Sequence, residues 1–166
     1  MKVMLYILIG IVLLLIILYL TGRKSVHNEV IIHSKPEIVW NVIIDMKEYP
    51  NWNPVIRLLE GEVIEGNKVK YGLTQDEKKE IEIRATVVQL TEGKLLNQKG
   101  GNPLIFSFNY TYRLEKINES VKVTIHEEYS GIAVNFWNTK PIENAYERLN
   151  NALKERCENS SSIKTE

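Results

Sequence analysis

The chain has little cysteine and no dense block of positive charge, and both absences exclude classes of protein. Its 166 residues include one cysteine, Cys157, which rules out an internal disulfide and a cysteine-rich metal cage. Lysine and arginine never occur in runs longer than two, and 21 basic residues balance 21 acidic ones. The basic footprint that phosphate binding requires is therefore missing. These features predict one globular domain of ordinary amino-acid composition that does not bind nucleic acid.

Recognisable catalytic motifs are also missing. Neither a G-x-S-x-G nucleophile motif nor a phosphate-binding P-loop occurs in the sequence. The three histidines, His27, His33 and His126, do not stand at metal-ligand spacing with carboxylates or cysteines. The sequence therefore assigns no catalytic residue, no metal site and no cofactor.

A long uncharged run at the amino terminus stands apart from the rest. "VMLYILIGIVLLLIILYL" occupies residues 3–20, about the length that a helix needs to cross a hydrocarbon core. The alternative is a cleaved signal peptide, whose apolar region is usually about 7–15 residues long and ends at small residues, which "LYLTGRKS" lacks. The run predicts a single-pass membrane anchor. Lys2 precedes it while Arg23, Lys24 and Lys35 follow it, a small excess that favours a cytoplasmic domain.

After a short polar linker at residues 21–28, the apolar periodicity predicts one α+β domain. β-branched residues mark a strand at 29–33, and Pro36 begins an amphipathic helix. The period then changes to two, with one apolar face on each of four strands, as in an antiparallel meander. A last helix from Pro141 would cover that face, and residues 132–140 fit either an early part of it or a loop. The predicted boundaries are 1–24 for the anchor, 25–157 for the domain and 158–166 for a polar tail.

Two stretches carry a resemblance to a known superfamily. "EVIIHSKPEIVWNVIIDMKEYPNWNPVI" at residues 29–56 joins a strand, a proline-initiated helix and an aromatic corner, and "YERLNNALKER" at 146–156 is like the end of a long helix. In this order they resemble the START-like or SRPBCC superfamily, the polyketide cyclase/dehydrase and lipid-transport group. The resemblance implies a helix-grip fold, a curved antiparallel sheet wrapped around a long C-terminal α-helix. The uncharged run adds one transmembrane helix before it.

The aromatic corner itself, "DMKEYPNWNP" at residues 45–54, is predicted to be structural. Pro50 and Pro54 would stiffen a tight turn out of the helix. Trp52 would provide a large apolar plug, and Tyr49 would pack beside it. Aromatic residues at the end of an element usually serve packing and turn chemistry, so the corner is predicted to support the fold.

The resemblance also implies an apolar cavity between the sheet and the last helix, which would bind a hydrophobic small molecule or lipid. Apolar walls with a few polar groups suit such a ligand. The predicted ligand-binding residues are Tyr71, Ile83, Phe106, Phe108, Tyr110, Tyr112, Glu127, Tyr129, Tyr146 and Leu149. The same side chains could equally fill an ordinary core, and the sequence identifies no protein partner.

Glu127 is the polar residue that the strand pattern places on the apolar face. The alternation of Val121, Val123 and Ile125 continues inward to Glu127, where a carboxyl group needs a partner or a raised pKa. A bulge or a strand end that turns Glu127 to water is the interpretation that the neighbouring Glu128 favours. A hollow, dry cavity would favour lipid binding, and a cavity with a buried carboxyl group would favour a cyclase/dehydratase-type enzyme. A filled core would favour a co-chaperone-like protein-binding module.

Overall fold

The computed structural model describes residues 2–76 and 79–162, in which one apolar helix precedes a sheet and two further helices. Two short 3₁₀ helices, Tyr49–Asn51 and Ile132–Phe136, lie in the connections. The main elements are α1 (Lys2–Thr21), β1 (Arg23–Ile32), α2 (Pro36–Ile44), β2 (Ile56–Glu60), β3 (Lys68–Asp76), β4 (Lys79–Thr91), β5 (Leu95–Asn102), β6 (Phe106–Ile117), β7 (Ser120–Ser130) and α3 (Lys140–Ser162).

The seven strands form one curled antiparallel sheet in the order β1-β7-β6-β5-β4-β3-β2. Irregular register at Leu58/Glu60, Thr74/Asp76 and Val87/Gln89 interrupts the pairing of β2, β3 and β4. Such bulges bend a strand and increase its twist, which curls this half of the sheet into a half-barrel. The apolar face of the strands lines the inside of the curl, and the helix-grip fold that the resemblance implied is confirmed.

Helix α3 lies across the inside of the curl and is hydrogen-bonded to β1 at one edge of the sheet and to β3 beside the other edge. The side-chain amide of Asn150 donates to Asn28 Oδ1 on β1 at 2.5 Å. The guanidinium of Arg148 donates to the carbonyl of Gln75 at the end of β3 at 2.9 Å. Residues 132–140, for which the sequence left two alternatives, form the 3₁₀ helix and a loop before α3 begins at Lys140. The helix is therefore held at two points that lie on either side of the concave surface.

Helix α1 is apolar all round, with a mean hydropathy of 3.1 and no residue buried against the domain. It is long and apolar enough to cross a membrane. A single residue, Gly22, separates it from β1, so the polar linker predicted at residues 21–28 is wrong. Residues 23–28 pair with β7 instead, beginning at Arg23 opposite Ser130. Val26 is their one fully inward apolar side chain, which is why the segment shows no strand pattern in the sequence.

The aromatic corner between α2 and β2 is held by buried hydrogen bonds and ring contacts. The Tyr49 hydroxyl donates to the carbonyl of Ile43 at 2.6 Å, and the Tyr49 and Trp52 rings meet edge to face with centroids 4.8 Å apart. Asn53 Oδ1 accepts the backbone N–H groups of Val55 and Ile56, each at 2.9 Å. These contacts terminate the helix and start the next strand, as a structural corner does. Trp52 is half-buried rather than a fully enclosed plug.

Tyr49→Phe is expected to lower the free energy of unfolding by about 1 kcal/mol, because the carbonyl of Ile43 loses a buried donor. Urea unfolding of the full chain in mild detergent measures this change. Tyr112→Phe is the matched control. The Tyr112 hydroxyl is also buried but makes no hydrogen bond of ordinary geometry within the described residues, so its removal should not lower the free energy of unfolding. Equal losses in both variants would contradict the role given to the Tyr49 hydrogen bond.

Candidate functional site

A cavity of about 180 Å³ lies between the inside of the curled sheet, α3 and the aromatic corner. It exists because α3 is fastened to β1 and β3 and passes over the concave surface between them. Ala85 on β4 faces the space with a side chain too small to fill it, and the ring of Tyr146 faces it from α3. The walls are predominantly aromatic and aliphatic. The interior is therefore hollow at this point, where the sequence had allowed either a cavity or a filled core.

The structure brings together nearly all of the residues that the sequence predicted for a ligand site. The cavity is lined by Tyr71, Ile83, Phe106, Phe108, Tyr110, Tyr112, Glu127, Tyr129 and Tyr146. Leu149 lies outside this lining and is fully buried in the core. Its position is one turn beyond the part of α3 that faces the cavity, so its contacts are packing contacts. The ligand-binding role of the others stays a prediction.

The lining also includes residues that the sequence reasoning did not select. Leu73, Ile81 and Ala85 stand on faces whose alternation marks them as inward, so that pattern could have found them. Trp137 lies in the segment between β7 and α3, whose structure the sequence left open. Gln98 lies on β5, "LLNQKGGN", which has no apolar alternation and gives no signal of a strand. The corner residues Met46 and Tyr49, Ile56 at the start of β2 and Gln75 near the end of β3 complete the lining.

Glu127 is the charged group of the cavity, and it points inward. It is 5% exposed and stands directly opposite Tyr110 in an uninterrupted register between β6 and β7, so the bulge that would have turned it to water is absent there. The hydroxyls of Tyr129 and Tyr146 both donate to its Oε2 atom. In the described part of the chain, Oε1 receives no hydrogen bond. One carboxyl oxygen is thus held by two phenols while the other is left for a further partner.

The electrostatics of this cluster follow from its burial. Burial raises the pKa of Glu127 from 4.5 to about 7, although the hydrogen bonds from Tyr129 and Tyr146 oppose the change. Burial also raises the pKa values of both phenols well above 10, and the neighbouring carboxylate adds to the effect. The phenols therefore stay neutral donors at physiological pH. Glu127 can hold or release a proton near neutrality, as a general acid or base must.

Two further polar features face the same space. Gln98 donates from Nε2 to the hydroxyl of Tyr71 at 2.5 Å, and burial raises the pKa of Tyr71 to about 12. The rings of Tyr110 and Tyr112 meet edge to face at 5.3 Å, and their buried hydroxyls interact with each other without ordinary hydrogen-bond geometry. Buried hydroxyls without a proper partner are costly, so these two are available to a ligand.

The residues of the cavity do not form a metal centre. Among residues 2–76 and 79–162, no group of three or more histidine, cysteine, aspartate or glutamate side chains is placed to hold a metal ion. What the arrangement can do chemically is accept an apolar body, exchange hydrogen bonds with a hydroxyl or carbonyl group, and move a proton at Glu127.

The fold is shared with several solved structures. Major latex-like protein 151 from Panax ginseng superposes with a TM-score of 0.67 at 14% identity, over 81% of this chain and 97% of that chain. Zhui aromatase/cyclase from Streptomyces sp. R1128 gives 0.66 at 12% identity, over 82% and 94%. A START superfamily protein from Mycobacterium smegmatis gives 0.63 at 15% identity, over 81% and 97%. These identities establish a common fold and no more.

Sequence comparison defines the family more directly. A comparison with curated protein sequences found no match. A family model described as "Polyketide cyclase / dehydrase and lipid transport" matches residues 23–158, which is the whole of the sheet and nearly all of α3. The chain belongs to the polyketide cyclase/dehydrase and lipid-transport family of START-like proteins.

Proposed function

We propose that the chain is a membrane-anchored binding protein for a hydrophobic small molecule or lipid that carries a polar head group. The observation that carries this proposal is the hollow, aromatic-walled cavity with one carboxyl group in its wall. Enclosed apolar pockets with a few convergent polar groups are the usual form of a small-molecule site. The family description, which includes lipid transport, agrees with such a ligand.

The polar groups of the cavity define what the head of the ligand must offer. Glu127 Oε1 would accept from a hydroxyl when the carboxyl group is ionised and donate to a carbonyl when it is protonated. With a pKa of about 7, both forms are present near neutral pH. The rest of the ligand would lie against Phe106, Phe108 and Ile83, which bury apolar surface at roughly 25 cal/mol per Å². An amphipathic molecule with a hydroxyl or carbonyl end fits both requirements.

The anchor supports the same proposal. Helix α1 would span the membrane once and hold the domain close to ligands dissolved in the bilayer. The basic residues Arg23 and Lys24 directly after it favour a cytoplasmic position for the domain. A binding domain fixed to the membrane gains access to molecules that are almost insoluble in water.

The binding function is tested by filling the cavity. The full chain is purified in mild detergent, and native mass spectrometry with solvent extraction identifies co-purifying molecules. Melting temperatures are then measured with a fatty acid, an isoprenoid alcohol and a polycyclic phenol as probes. Ala85→Ile adds volume inside the cavity and should weaken probe binding at least roughly tenfold, or about 1.4 kcal/mol.

Thr86→Ile is the matched control for this experiment. Thr86 is the next residue of β4 and lines a groove on the outer surface, away from the cavity. The control should keep the affinity of the unmodified chain. If no molecule co-purifies, no probe raises the melting temperature and Ala85→Ile changes only stability, the binding proposal is wrong.

A second function, an acid–base enzyme of the cyclase or dehydratase type, is favoured by the buried carboxyl group of Glu127, the feature that would distinguish an enzyme from a binding protein. Binding is proposed first because the described lining is otherwise apolar or neutral and holds no second group that titrates near neutrality to work with Glu127. Glu127 has a pKa of about 7 and is held by two phenols in the cavity wall, and such a carboxyl group is suited to proton transfer at neutral pH. Mass spectrometry of the bound probe separates the two functions. An enzyme of this kind would release a molecule that has lost water, and Glu127→Gln would stop the loss, whereas a binding protein returns its ligand unchanged.

A further inference from the structure

The end of α1 and the opening of the cavity lie at the same edge of the sheet. At this edge β1, β2, β4 and β6 begin and β3, β5 and β7 end, as the antiparallel order requires. We call it the anchor edge. Its described connections include the aromatic corner that leads into β2, the loop from β5 to β6 at residues 103–105, and the segment from β7 to α3 at residues 131–139.

Helix α1 is fastened to the anchor edge by hydrogen bonds. The backbone N–H of Gly131 donates to the carbonyl of Gly22 at 2.9 Å. The Asn135 amide donates to the carbonyl of Leu18, within the last turn of α1, at 2.7 Å. Gly22 and Gly131 approach so closely that a Cβ atom on Gly22 would lie 2.1 Å from the carbonyl oxygen of Gly131. A bilayer crossed by α1 would therefore have its surface at this edge.

The anchor edge presents apolar side chains to solvent at that place. Leu104 is 63% exposed, Ile105 is 60% exposed and Phe136 is 78% exposed. Their loops are tied together, since the N–H groups of Ile132 and Ala133 donate to the carbonyls of Leu104 and Ile105. Large apolar side chains clustered on an exposed loop mark an interaction site. Two short loops that share hydrogen bonds thus form one apolar tip beside α1.

Basic side chains lie beside this tip, in a groove that includes Pro103, the residue before Leu104. The groove on the outer surface of the sheet next to α1 contains Arg23, Lys24 and Lys99, together with one acidic residue, Glu128. Tyr19, in the last turn of α1, lines the same groove. Basic and aromatic residues beside an apolar tip match the chemistry of a lipid surface, where anionic head groups lie above the hydrocarbon.

The accessible part of the cavity lining also lies at the anchor edge. Phe106 and Phe108 at the start of β6 and Trp137 after the 3₁₀ helix are partly exposed, whereas Tyr110 and Tyr112 farther along β6 are buried. Ile81 and Ile83, near the start of β4, are also accessible. Phe106 and Trp137 meet edge to face at 5.2 Å. The mouth of the cavity is therefore formed by aromatic and aliphatic residues at the edge where α1 ends.

We propose that the anchor edge lies against the bilayer, with Leu104, Ile105 and Phe136 inserted among the lipid head groups, and that the cavity exchanges its ligand with the membrane through this contact. The inference rests on the proposed function, in which α1 spans the membrane. In this arrangement the opening of the cavity faces the lipid surface, and the domain rests on the membrane rather than standing away from it in the water.

The test places a fluorescent dye on the full chain reconstituted into vesicles of phosphatidylcholine and phosphatidylglycerol. Phe136→Cys and Leu104→Cys carry an environment-sensitive dye at the tip. Ile64→Cys and Ile117→Cys carry it at the opposite edge, where the parent side chains are 51% and 39% exposed. The natural Cys157 is buried, and its burial raises its pKa to about 12, so it stays unlabelled at neutral pH.

The tip dyes should lie roughly 5–10 Å below the lipid surface, where spin-labelled lipids quench them strongly, and the opposite-edge dyes should be unaffected. Equal quenching at residues 136 and 64 in vesicles that retain the chain after alkaline carbonate treatment would overturn this inference alone. Release of the chain by carbonate would overturn the membrane anchor and the inference together.

A second measurement follows the route of the ligand. Leu104→Asp with Phe136→Asp should slow the uptake of a fluorescent fatty acid from the vesicles several-fold, and Ile64→Asp should not. An unchanged uptake rate would overturn the exchange of ligand through the anchor edge, even where quenching shows membrane contact.

Discussion

Leu149→Ala is expected to lower the free energy of unfolding by about 2–5 kcal/mol and to leave the affinity for a molecule in the cavity unchanged. Leu149 is fully buried, at 0% exposure, on the face of α3 that packs against the sheet. Its truncation would leave a void among close-packed neighbours, because the surrounding strands are fixed by their ladder of hydrogen bonds. It does not line the cavity, so a ligand there would lose no contact.

Urea unfolding of the full chain in detergent measures the stability change, and native mass spectrometry measures retention of the bound molecule. Glu147→Ala, on the exposed face of the same helix, is the control and should change stability by less than about 0.5 kcal/mol. A Leu149→Ala variant that loses its ligand with little loss of stability would show that this residue belongs to the binding site after all.

The stability of the domain should fall by about 3 kcal/mol between pH 4.5 and pH 7 through Glu127 alone. Burial raises the pKa of this carboxyl group in the folded chain from 4.5 to about 7. The folded state therefore binds the proton more tightly than the unfolded state. The resulting stabilisation is fully present below pH 4.5 and is lost as the pH rises through about 7.

Urea unfolding at a series of pH values from 4 to 8 tests this expectation. Glu127→Gln keeps a group of similar shape that does not titrate, so the decline across this window should disappear. Glu128→Gln is the control, because Glu128 is exposed on the opposite face of the same strand and its removal should leave the decline in place. An unchanged decline in Glu127→Gln would mean that other groups cause it.

Most of the fold could be predicted because most of its helices and strands show a clear apolar period. Helical spacing along α3 and alternation along β3, β4, β6 and β7 decide which face is buried. The sequence predicts β1 too late along the chain because residues 23–28 are mainly polar and have Val26 as their one buried apolar side chain. β5 gave no signal because its residues after Leu96 are mostly amides and glycine. These strands are held by their neighbours rather than by their own apolar pattern.

The candidate site could be predicted only in part. Alternation places Glu127 and Tyr129 on the same face of β7, so their contact follows from the sequence. The second donor, Tyr146, comes from α3, and its meeting with Glu127 depends on how the helix lies across the sheet. The hollow space depends on the curl of the sheet and on the two fastening points of α3. Neither the curl of the sheet nor the position of α3 can be inferred from local sequence patterns. This is why the sequence allows a filled core as well as a cavity.

Only Gly22 separates α1 from β1, which limits the volume that the domain can reach. A domain on a long flexible linker explores a wide volume and can touch a second membrane. Here the last turn of α1 and the β7–α3 segment are bonded directly, with no slack between them. The tilt and rotation of α1 in its bilayer would therefore set the orientation of the whole domain. With α1 in a bilayer, as proposed, a molecule leaving the cavity for another compartment would need an acceptor that comes to that membrane and docks beside the domain.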